Sequence, residues 1–254
     1  MPRNLHRLLF IACLLCLGVA AANPPIRLAA GEWPPFSGES LVDHGIACRI
    51  VEAAFAESGM QVEFSFLSWR RGFELAKRGK MDGAILWAAP DANDPDLVGS
   101  STVIISDVIV LHRRDVPVDM AHLEQAARTR VAYPNGYGYE DIPAFRHLLT
   151  LAHPRPVVLN DDRDAVQALL NNRIDLYPID RLVAIYLLNQ SGPPRWQSVL
   201  ELSSTPLSSE TLVVVISRTL PDHDRIVASL NRGLASLRAK GLIAKWLTEA
   251  AAMR

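Results

Sequence analysis

A helix running into a short apolar strand occurs twice in this chain, and that repetition restricts it to folds built from two similar α/β units. The first copy spans residues 68–85, SWRRGFELAKRGKMDGAI, and the second spans 162–177, DRDAVQALLNNRIDLY. Each copy opens on a residue able to cap a helix, Ser68 or Asp162, whose side-chain oxygen can accept from an orphan amide of the first turn. Each then carries one apolar face at helical spacing and closes on Gly79 or on Asn172, which tolerate the left-handed backbone that ends a helix. A basic residue, an apolar one and an aspartate (Asp82 or Asp175) lead into the strand. Two such units predict two similar lobes, and a cleft between lobes is a natural place for a ligand.

The amino terminus stands apart from this pattern. Arg3 and Arg7 precede an apolar run from Leu8 to Val19, and Ala20-Ala21-Ala22 supplies the small residues of a cleavage site. That arrangement reads as a secretory signal peptide over residues 1–22, cut before Asn23. Its apolar run is shorter than the roughly 20 residues a membrane span needs. No later stretch is apolar enough to span, so the mature chain is expected to be exported and not membrane-spanning.

Of three cysteines, Cys13 and Cys16 leave with the signal, so Cys48 has no intramolecular partner. Cys48 falls on the apolar side of a predicted helix and reads as a buried, inert thiol. The formal net charge is −1, with no basic stripe of the kind that nucleic-acid binding requires.

Along the chain, strands are predicted at Ile26–Ala30, Val62–Leu67, Gly83–Trp87 and Val103–Leu111, with helices from Ile46 to Phe55 and from Arg70 to Arg78 between them. Trp33-Pro34-Pro35-Phe36 must be a loop, because two prolines forbid helix and central strand alike. The second unit is predicted to hold a helix at Met120–Ala127, a strand at Val131-Ala132 and the loop 133–138, then a helix to about Thr150. Strand Val157–Leu159, the repeated helix, strand Asp175–Pro178, a helix capped by Asp180 and a strand at Trp196–Leu202 follow. Thr211–Ser217 reads as a returning strand, and helices near Asp224–Ala239 and Leu242–Ala250 close the chain around Gly241.

The ordered set IRLA at 26–29, WPPF at 33–36, Gly45, GKMDG at 79–83, Ser100-Ser101, NRID at 172–175, Asp180 and GLIAKW at 241–246 resembles the periplasmic solute-binding proteins of the amino-acid type, family 3. The resemblance covers nearly all of the mature chain. It implies the two-lobe type II fold, an α/β architecture with two chain crossings between lobes. Residues 23–112 and 208–254 would form the first lobe and 113–207 the second. It further implies a periplasmic protein, expected to act as a monomer, that closes on a small polar solute and hands it to an inner-membrane permease or reports it to a sensor. No cofactor or metal is implied, and no enzymatic activity is expected.

A trap for a small polar solute needs oriented donors and acceptors between aromatic walls. Trp33, Phe36, Trp69 and Trp87 are candidate walls, with ordinary core packing as the alternative. Tyr137 sits in the loop NGYGY at 135–139 ahead of a helix whose amides could hold an anion. That loop has neither the third glycine of a dinucleotide fingerprint nor the lysine of a phosphate loop.

Amino-acid binders of the family hold the ligand carboxylate with an arginine a few residues beyond the strand that follows the Asp-Gly step. Here that stretch is AAPDANDP at 88–95, with no arginine. Arg71 could supply a bidentate fork instead, or it could be a solvated helix residue. The resemblance assigns Asp180 to a ligand amino group, and helix capping alone would also explain it. Asp91, Asp94 and Asp96 lack the glycine and terminal glutamate of a calcium loop and read as a solvated acidic segment. No nucleophile elbow, His-Glu-x-x-His or zinc-spaced cluster occurs. The alternatives to solute capture are an enzyme resembling cyclohexadienyl dehydratases, with Asp180 or Glu210 as the acid, and a receptor domain that senses without transport.

Overall fold

The computed structural model describes residues 24–191 and 196–252; the expected signal peptide lies outside them. The first unit is β1 (Ile26–Ala30), α1 (Ile46–Ala56), β2 (Val62–Phe66), α2 (Trp69–Lys77) and β3 (Gly83–Ala88). Its strands are parallel in the order β2-β1-β3, so the chain leaves the central strand, adds one neighbour and crosses back to add the other. α1 forms because Ile46, Ile50, Val51, Ala54 and Phe55 recur on one face, and all five are buried. Gly79 (φ +64) and Asn172 (φ +55) do adopt the left-handed conformation that ends the repeated helices.

The second unit repeats that topology. It holds β6 (Ala132–Pro134), α3 (Pro143–Leu151), β7 (Val157–Leu159), α4 (Asp162–Leu170) and β8 (Leu176–Asp180), followed by α5 (Arg181–Ser191). β6 pairs in parallel with β7, and Val131 makes a parallel bridge to Leu176 on the other side, giving the order β7-β6-β8.

Two ten-residue strands join the units. β5 (Ile104–Arg113) pairs antiparallel with β10 (Ser208–Ser217) through Ile104–Val108, then with β8 through Val108–His112. β10 pairs with β5 through Ser208–Leu212 and then with β3 through Leu212–Ile216. Each long strand therefore changes partner near its middle, and this pair is the only backbone sheet link between the two halves among the described residues. Short strands β4 (Leu97–Gly99) and β9 (Leu200–Leu202) extend β10 and β5. α6 (His223–Ala239) returns to α1, and α7 (Leu242–Ala252) follows Gly241, whose φ is +69.

Some local expectations change. The segment expected as a helix at Met120–Ala127 is a 3-10 turn at Leu123–Arg128, and Trp196–Leu202 splits into a 3-10 turn and β9. Ser68 precedes α2, but its side-chain oxygen accepts no cap hydrogen bond. The N-cap of α4 is Asp161, whose carboxylate accepts from the Arg163 amide at 2.7 Å. Asp162 is one residue inside the helix and turned instead to the Tyr177 hydroxyl at 2.8 Å.

Candidate functional site

In α/β sheets, ligands sit beyond the carboxyl ends of strands where the strand order reverses. β1 and β6 are the reversal points of the two units, and the loops leaving them face one cavity of about 240 Å³. Glu32, Trp33 and Pro34 come from the loop after β1, and Tyr137 from the loop after β6. Asn160, Asp161, Asp162 and Arg163 come from the β7–α4 junction, and Val183 and Leu187 from α5. A larger recess of about 550 Å³ lies elsewhere, walled by helix faces and the turn at 40–45. Inside it the Arg49 guanidinium lies 4.4 Å over the Trp246 ring and pairs with Asp43 and Glu249, so this cation is already engaged.

The expected wall residues separate into two groups. Trp33 and Tyr137 line the cavity from opposite units. Phe36, only 2% exposed, backs Trp33 at 4.5 Å between ring centroids. Trp69 meets Trp33 edge-on at 6.5 Å and Trp87 at 6.3 Å, and Trp87 lies against Phe73 at 4.2 Å. Gly31 makes room for this arrangement, since a Cβ there would stand 2.2 Å from the Trp69 ring. Arg71 is exposed on α2 and is not among the cavity residues.

Asp180 is buried at the end of β8, where its carboxylate accepts from the amides of Leu182 (2.8 Å) and Val183 (3.1 Å) and from the Ser106 hydroxyl (2.7 Å). It therefore caps α5. Burial pushes its pKa up to about 6, against the pull of those donors. Asp162 is likewise pushed up to about 6, chiefly by burial, with Asp161 and Asp180 adding like charge and the Tyr177 hydroxyl opposing. Burial first, and the nearby carboxylates second, hold the Tyr137, Tyr139 and Tyr177 hydroxyls above the ordinary tyrosine range. Glu210 on β10 is raised by burial and by Asp91, which stands in the stretch where amino-acid binders carry arginine.

Sequence reasoning missed Glu32, Asn160, Asp161 and Asp162 as cavity residues. The available signal was three consecutive polar residues directly after a strand, a position that faces ligand in this kind of sheet.

Solved structures share this architecture. The GluR0 ligand-binding core in complex with L-glutamate superposes with a TM-score of 0.70 at 16% identity, covering 90% of this chain and 98% of that one. An amino acid ABC transporter substrate-binding protein from Streptococcus pneumoniae bound to L-arginine gives 0.66 at 15% identity, covering 89% and 94%. A histidine kinase sensor domain with similarity to periplasmic binding proteins gives 0.65 at 20% identity, covering 90% and 96%. No protein-family model and no curated protein matches the chain. The fold is the two-lobe type II fold of periplasmic binding proteins, as the ordered sequence motifs led one to expect.

Proposed function

We propose that this chain is a solute-binding protein that traps a small polar molecule between its lobes by hinge closure. The observation that carries the reading is the cavity itself: its walls come from the strand-reversal loops of both units, and β5 and β10 are the sheet link between them. A ligand touching Trp33 on one side and Tyr137 on the other gains contacts only when the halves approach, so it stabilises the shut form. The lobe assignment of 23–112 with 208–254 and of 113–207 goes with this reading. Supporting it are the exchanges of partner at Val108 and Leu212. Export to the periplasm through residues 1–22, action as a monomer and delivery to an ATP-driven importer complete the proposal. The transporter protein of similar fold supports the importer, and the kinase sensor domain supports a signalling partner as the second reading.

The test is a thermal-shift screen of mature protein, stripped by unfolding and refolding, against amino acids, amines, dicarboxylates and aromatic acids. A ligand at 100 times its dissociation constant adds about 2.7 kcal/mol. Silence across all four classes would overturn the reading. Formation of phenylpyruvate from prephenate would replace it with the enzymatic one.

A further inference from the structure

We infer that the cleft selects a short organic cation without a carboxylate, an alkyl diamine or an alkylguanidine, over the corresponding amino acid. The inference rests on the solute-binding reading and names the ligand class of that cavity.

Three of the ten cavity residues, Glu32, Asp161 and Asp162, are carboxylates, against one arginine, Arg163, which is itself engaged with protein partners. Each carboxylate has one oxygen held by a protein donor. Glu32 Oε1 accepts from the Glu39 amide at 2.9 Å, Asp161 Oδ1 from the Arg163 amide at 2.7 Å and Asp162 Oδ1 from the Tyr177 hydroxyl at 2.8 Å. Held in place this way, they form an acceptor surface for N–H groups. Trp33 and Tyr137 supply aromatic rings, the kind of wall that stabilises a cation, and Val183 and Leu187 supply apolar side chains for methylenes.

An α-carboxylate would meet Arg163 as the one cation of the cavity, against three carboxylates. The stretch 88–95 has no arginine. Like charges brought together in a desolvating cleft discriminate against a ligand more strongly than a missing contact does. The cavity volume of about 240 Å³ accommodates a small diamine.

The experiment is titration calorimetry with matched pairs that differ by one carboxylate: putrescine against ornithine, cadaverine against lysine, agmatine against arginine. The expected result is at least one pair in which the amine binds about tenfold tighter or more, a difference of one unit in log Kd. An amino acid that equals or beats its amine in every pair overturns the inference while leaving solute capture standing. No binding by either member of any pair, with binding by an acid or a neutral solute, also overturns it alone. No binding by any class overturns both readings. Glu32→Gln keeps the Oε1 acceptor for the Glu39 amide and removes only the charge. It should weaken the amine about tenfold without lowering the melting temperature; an unchanged affinity sinks the inference.

Discussion

Arg27 grips Asp82 with its guanidinium at 2.8 Å while its own backbone amide donates to the other oxygen of the same carboxylate at 2.8 Å. Arg130 holds Asp175 in the same double fashion, through its amide and its guanidinium. The two aspartates of the sequence repeat are thus the same joint built twice, each tying the start of a central strand to the start of the strand beside it. Asp82→Ala leaves the Arg27 amide without its acceptor and should cost about 1–3 kcal/mol in urea unfolding. Arg27→Ala should cost less, because its half-exposed guanidinium is solvated either way. Equal costs would show that the ion pair, not the amide bond, carries the joint.

Asp180 sets a pH signature. Its folded pKa of about 6 lies above the unfolded value near 3.8, so between those limits the folded chain holds a proton that the unfolded chain has released. Its contribution to stability is therefore fully present below pH 4 and is lost as pH rises through 6. Asp180→Asn removes this loss and, because asparagine also caps helices, keeps the start of α5. The variant should gain on the parent protein by about 3 kcal/mol between pH 4 and pH 7. Melting profiles that run parallel across that range would refute the assignment.

At Gly233 α6 packs directly against the backbone of α1. A Cβ at this position would stand 1.9 Å from the carbonyl oxygen of Ala54, a backbone atom that cannot swing away. Although alanine is the better helix former, Gly233→Ala should destabilise by about 1–3 kcal/mol, read by calorimetry. A rise in melting temperature would mean that the two helices can part at little cost.

Trp33 should report on the cleft. Trp33→Ala should weaken whatever the cleft binds by about tenfold, through loss of a buried aromatic contact. Ligand-induced tryptophan fluorescence change should vanish in Trp33→Phe and survive in Trp196→Phe. Retention of the change in Trp33→Phe would move the ligand elsewhere.

Much of this fold was legible because local chemistry and tertiary need agree along most of the chain. The proline pair at 34–35 forbade regular structure where the β1 loop lies, and the apolar stripes of α1 and α6 matched their buried faces. The failures came where one residue's neighbours decided. Asp162 looked like a cap by its position, yet Asp161 takes that role and Asp162 turns to Tyr177. Leu86 adopts φ +62 in the middle of β3, which puts both Ile85 and Leu86 opposite the single residue Val214 of β10. Strict alternation would place Trp87 on the same side as Ile85; the bulge returns it to the side of Ala84, against Phe73.

By itself the sequence determined the two α/β units, their stop residues and the repeated aspartates, because each depends on spacings of a few residues. Which loops meet across the cleft was decided only by the tertiary structure. Trp33 and Tyr137 are 104 positions apart, and what brings them to one cavity is the strand order on either side of β5 and β10. The acidic character of that cavity follows in the same way, since carboxylates scattered along the chain acquire a common field only when distant strand ends converge.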